Sequence, residues 1–158
     1  MNPLTNILAR RADQPILNYV WKAVIVALIP SLIIGTLVSL VVPDKGPQFK
    51  GPLFLVVFSV LVISPWLETL LMWPILWILK RFLRTQTRVA IGSALVWGLF
   101  HSLLAPAWGL TVAWPFFVFS YCFLEWEKKS KIHAILATAL VHTGQNLLPA
   151  IVIAFTLE

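Results

Sequence analysis

Charged side chains are scarce in this chain, at 11% of 158 residues against about 25% in a typical soluble domain. With 59% of residues hydrophobic and a mean hydropathy of +0.89, no soluble core of this size could hide so much apolar surface. The solvent is therefore lipid, and the length suits one domain, residues 1–158. Cysteine is nearly absent: Cys122 stands alone, which excludes an internal disulfide and a cysteine-based metal site. Acidic residues number six against twelve Lys and Arg, a net charge of +6. No basic face with interleaved aromatics accompanies that surplus, so nucleic acid is not an expected partner. Internal repeats, low-complexity tracts and a separate soluble region are also missing.

What remains is a succession of apolar runs. Residues 1–18, with Arg10, Arg11 and Asp13, read as a short cytoplasmic arm. The run at about 19–42 is too long for a signal-peptide core and lacks a small-residue cleavage pattern, so it reads as an anchored helix. A turn-rich stretch, Pro43 to Gly51, leads into a run at about 52–79, longer than the roughly 20 residues needed to span. It must tilt or bend, and Pro65 and Pro74 are its kink sites. Runs at about 89–106 and 110–126 are divided by Pro106 and Gly109, and a last one covers about 132–156. The expected fold is an all-α integral membrane bundle of about five transmembrane helices.

Orientation follows from the basic residues. With the N-terminus inside, Arg10, Arg11, Lys22, Lys80, Arg81, Arg84, Arg88, Lys128, Lys129 and Lys131 are cytoplasmic, and only Lys45 and Lys50 lie outside. The positive-inside rule then favours N-in, C-out. Trp21 and Trp126 fall at the inner interface and Trp108 at the outer one, the places where Trp anchors a span. Glu125 and Glu127 border the inner face and read as ordinary exposed charge. His133, beside Lys131, reads as an interface residue.

Three ionisable side chains lie deep inside the runs, where such groups are costly and default to function. Counted from the basic ends at 1.5 Å per residue, Glu68 is about 18 Å deep, His101 about 20 Å and His142 about 16 Å. Three helices thus carry a polar group at one height. Asn146 lies one turn from His142 on the same face. Each imidazole alone could be interhelical hydrogen-bonding glue, and Trp97, Trp114, Phe116 and Phe117 are packing or lipid-facing groups by default.

Together these residues resemble the CPBP family of intramembrane proteases, also called the Abi or CAAX-protease family. Its pattern is Glu-Glu-x-x-x-Arg on one helix, Phe-x-x-x-His on a second and His-x-x-x-Asn on a third. The third motif is complete in His142-Thr-Gly-Gln-Asn146. The second is present as Trp97-Gly-Leu-Phe-His101, with Trp for Phe. In the first, Glu68 matches the leading Glu, while Thr69 stands for the second Glu and Trp73 for the Arg. Order and intervals agree over about residues 50–150. The resemblance implies an endopeptidase of the bacterial cytoplasmic membrane, acting in peptide or bacteriocin processing or in self-immunity. It makes Glu68 the general base on a water, His101 its assistant, and His142 and Asn146 hydrogen-bond donors to the oxyanion. It implies a peptide or protein substrate beside membrane lipid, and no cofactor.

Other readings use the same residues. Glu68, His101 and His142 could hold Zn²⁺ with a water in the fourth position. A non-catalytic immunity or interaction protein could keep them to bind a peptide. A proton-coupled transporter could use Glu68 as a relay, although five spans without a repeat argue against it.

Overall fold

The computed structural model describes residues 3–9, 14–42 and 47–156. Arg10, Arg11 and Lys45, used above to orient the chain, lie outside the described residues, as do Asp13 of the arm and Pro43. Among those described there is no strand, and the molecule is an all-α bundle. Its elements are α1 (Pro3–Leu8), α2 (Ile16–Val41), α3 (Leu53–Phe58), a π turn (Ser59–Ile63), α4 (Ser64–Phe82), α5 (Gln86–Leu104), α6 (Trp108–Glu127) and α7 (Lys131–Thr156). By length and apolarity four helices can cross a membrane: Ile16–Val41, Leu53–Phe82, Gln86–Leu104 and Lys131–Thr156.

The remaining long helix, α6, is the enclosed one. Twelve of its 20 residues are buried, and α2, α5 and α7 all pack against it. Large apolar side chains elsewhere, such as Leu40, Phe54, Phe82, Leu103 and Phe155, are exposed. That is the expected pattern when lipid replaces water around a bundle.

Local chemistry sets the helix ends. Thr85 caps α5 by accepting the Arg88 N–H at 3.3 Å, and Ser130 caps α7 by accepting the His133 N–H at 3.2 Å. Each satisfies one of the orphan donors of a first turn. Lys80 and Arg81 occupy the last turn of α4, where the helix dipole favours cations. The ends that carry the basic loops meet: Lys80 pairs with Glu127 at 2.6 Å, and Gln86 donates to Glu125 at 2.7 Å. Glu125 also takes Lys128. It is 5% exposed, so the expectation of an ordinary exposed charge is corrected: it is a buried tie between two loops. Cations lie over aromatic faces at this end, Arg81 on Trp77 at 3.8 Å and Lys131 on Trp73 at 4.4 Å. His133 stacks on the Trp126 ring. The arm contains α1, and Tyr19 ties it down by donating to the Leu8 carbonyl at 2.9 Å.

Proline interrupts the hydrogen-bond ladder because it has no N–H, and side chains of other helices fill the gaps. Pro30 leaves the Val26 carbonyl without its helical donor, and Trp114 Nε1 supplies one at 2.9 Å. Trp114 is therefore a packing residue with a defined bond. α5 and α6 come very close where Gly98 faces Gly109: a Cβ on Gly109 would overlap the Gly98 carbonyl and Ser102 Oγ. Small residues permit such approach between membrane helices, and it places His101 beside the first turns of α6.

Candidate functional site

The kink expected at Pro65 is a π turn that ends just before it. In this wide register Ser64 N–H bonds to the Ser59 carbonyl five residues back. The next donor in that register is Pro65, which has none, so the Val60 carbonyl loses its partner; in an α register the Leu61 carbonyl would. Helix α7 supplies both. Asn146 Nδ2 donates to Val60 at 2.9 Å and Thr143 Oγ1 to Leu61 at 3.0 Å. An unsatisfied carbonyl costs most where no water can replace the bond, so these two side chains fix α4 against α7. Glu68 follows Pro65 by three residues, and its position is set by this junction.

We expect Thr143→Val to cost about 1 kcal/mol of stability. In a Pro65→Ala background the cost should fall towards zero, because the substituted alanine returns a backbone N–H to the gap. A double-mutant cycle of unfolding in detergent reads the coupling directly, and additive effects would contradict this account.

All four residues singled out in the sequence line one cavity of about 450 Å³, together with Ser64, Gln145, Phe116 and Phe119. Glu68 Oε1 accepts from Ser64 Oγ at 2.6 Å. Glu68 Oε2 is 3.9 Å from His142 Nε2, beyond direct hydrogen-bond range. The His142 ring stacks on Phe119 with centroids 4.3 Å apart and is 4% exposed. His101 Nδ1 is 2.8 Å from the Trp97 carbonyl. An acceptor there requires the proton on Nδ1, leaving Nε2 with a basic lone pair. Its ring meets the edge of Trp108 at 4.6 Å. Phe116 packs against both imidazoles, at 5.1 Å and 5.5 Å, and stacks on Trp97 at 4.7 Å.

The residues gather unequally. Glu68 and His142 are neighbours, while His101 is anchored to its own helix backbone across Phe116. Asn146 lines the cavity but commits one N–H to Val60; an Asn carries a second. For the zinc reading, among the described residues no three His, Cys, Asp or Glu side chains converge as a ligand set. In this arrangement Glu68, His101 and His142 do not form one. Thr69, next to Glu68, is fully buried, with no hydrogen-bond partner for its hydroxyl. Trp73 lies under Lys131 near the basic end.

Sequence reasoning missed Ser64 and Gln145. Ser64 is one turn before Glu68 and Gln145 is three residues after His142, both on-face spacings that could have found them. Nothing in the spacing points to Phe119 or Trp108, which reach the site from a helix that carries no ionisable residue at that depth.

No protein-family model matches the chain, and neither a curated protein nor a solved structure matches it.

Proposed function

We propose that this protein is a membrane-embedded endopeptidase of the CPBP type, with Glu68 as general base for a water that attacks a peptide carbonyl. One observation carries the reading: Glu68, His101, His142 and Asn146, from three helices, line a single cavity within an apolar bundle. Glu68 Oε2 lies 3.9 Å from His142 Nε2, so the carboxylate and the imidazole stand side by side in that cavity. Ser64 holds the other carboxylate oxygen, which fixes the rotamer and leaves Oε2 towards His142. His101 Nε2 supplies a second basic lone pair, and His142 and the second Asn146 N–H supply donors for developing negative charge. The enzyme lies N-in, C-out in a bacterial cytoplasmic membrane and acts in peptide or bacteriocin processing or in self-immunity.

A non-catalytic, peptide-binding reading draws on a different observation. The Asn146 amide is bonded to Val60, and Thr69 and Trp73 replace a charged pair, so the same cavity could hold a peptide without cleaving it. Cleavage by purified protein in lipid, against a library of apolar peptides, separates the two. In the peptidase, His101→Ala lowers the rate by about 10²-fold or more, and Asn146→Ala leaves a measurable remainder after a loss of about 10²–10³. His133→Ala, at the far end of the bundle, leaves the rate unchanged. An absence of cleavage with every peptide that binds would give the non-catalytic reading the lead.

A further inference from the structure

The cavity occupies one end of the bundle only. Its lining comes from α2 at residues 28–32, the stretch 60–68, His101, the first part of α6 at 108–119, and the last part of α7 at 142–153. No lining residue falls within 69–100 or 120–141, the stretches that contain or border every basic residue of the inner loops. Side chains of those stretches that face the interior are fully enclosed: Met72, Ala90, Ser93, Phe123, Ala137 and Val141 are each 0% exposed. Ser120 and Ser93 close the interior with a 2.8 Å hydrogen bond. Glu68 and His142 therefore form the floor of a pocket. The lining residues farthest from that floor are Phe49, Trp108 and Ile153, and the Phe49 and Trp108 rings meet at 6.5 Å.

Depth and lining restrict what can enter. From Phe119, which stacks on His142, up to Trp108 is eleven residues of helix, about 16 Å. From His142 to Ile153 on α7 is the same distance. The free volume over that depth is about 450 Å³. The walls at Leu28, Leu32, Phe116 and Val152 are apolar, so a segment lying against them is apolar too.

We infer that the site is loaded from the side of the membrane opposite the basic loops, by an apolar peptide segment. By the positive-inside rule that side is the non-cytoplasmic one. The inference rests on the peptidase reading for the word substrate, but not for the direction of entry.

The test uses thiol labelling and needs no turnover. Cys122 is 0% exposed and gives no background. Thr111→Cys and Ile153→Cys mark the pocket wall, and Arg84→Cys, in the exposed basic loop, marks the opposite side. In sealed membrane vesicles a compact, membrane-impermeant thiol reagent should label the two pocket cysteines from one side and Arg84→Cys only from the other. Labelling after denaturation shows that each thiol is present. Pocket cysteines that react from the same side as Arg84→Cys overturn the inference, and so do pocket cysteines at both positions that react from neither side. Expected labelling without any cleavage would leave the entry path standing and sink the peptidase. Cleavage with the reverse labelling would do the opposite.

Discussion

Glu68→Gln lowers peptide cleavage by about 10²-fold or more, the usual worth of a general base, while the protein still folds. The amide keeps the size of the side chain and an oxygen that can accept the Ser64 hydroxyl, now 2.6 Å from Oε1. What it loses is the basic lone pair facing His142. Stability should hold or rise, because a neutral amide costs less than a carboxylate among apolar helices. The measurement is initial cleavage rate at matched protein level, with thermal unfolding of the same samples. A fully active Glu68→Gln would remove Glu68 as base and with it the peptidase reading. An inactive variant that unfolds early would instead mark Glu68 as structural, and Ser64→Ala separates these outcomes. It frees Oε1 without removing the base, so it should lower the rate by less than Glu68→Gln does.

Gly109→Ala gives the largest loss of stability we expect from a single methyl group, at or above the top of the usual range of about 1–3 kcal/mol for overpacking. Alanine favours a helix over glycine by about 1 kcal/mol, so propensity alone predicts a gain. Overlap wins because the added Cβ meets backbone: the Gly98 carbonyl stands where it would go, with Ser102 Oγ beside it. Ser102 can change rotamer but the backbone carbonyl cannot, so α5 and α6 must separate. His101 and Phe116 sit on those two helices, and their 5.1 Å contact would open as well. Gly35→Ala is the control, since a Cβ there meets nothing within 4 Å; it should be neutral or slightly stabilising. Unfolding in detergent with all three proteins checks the order. Equal stability of Gly109→Ala and the parent would show that the two helices are not in contact at this point.

The depth argument, made from the sequence alone, picked out four residues that line one cavity because membrane insertion is one-dimensional. A basic loop fixes where a helix starts, 1.5 Å per residue fixes how far in a side chain lies, and an ionisable group at mid-depth stands out against lipid. Glu68, His101, His142 and Asn146 could therefore be placed at one level before any packing was known. The helices themselves were legible for the same reason. The run at about 19–42 is α2, that at about 132–156 is α7, and the pair divided by Pro106 and Gly109 is α5 and α6. Lateral arrangement was not legible, since apolar side chains give no sign of which neighbour they face when lipid and protein are equally apolar.

Glu125 shows the limit at the membrane edge. Its position among Lys128, Lys129 and Lys131 predicted a solvated charge, but Gln86 and Lys128 enclose it, and only the folded bundle brings Gln86 there. Asn146 shows it inside the site. The His-x-x-x-Asn spacing put both side chains on one face of α7, which is a property of one helix. That the Asn amide would spend an N–H on the Val60 carbonyl depended on a π turn in another helix, some 86 residues away in sequence. Pro65 announced a break there, because a missing N–H is a covalent fact. Which helix would fill the break, and hence how Glu68 is held against His142, is a contact between distant segments, so only the tertiary structure decided it. The same division holds for the cavity. Composition determined that the polar groups sit in an apolar bundle; the dense packing of Met72, Ala90, Ser93, Phe123, Ala137 and Val141 decided which end of the bundle could hold a cavity.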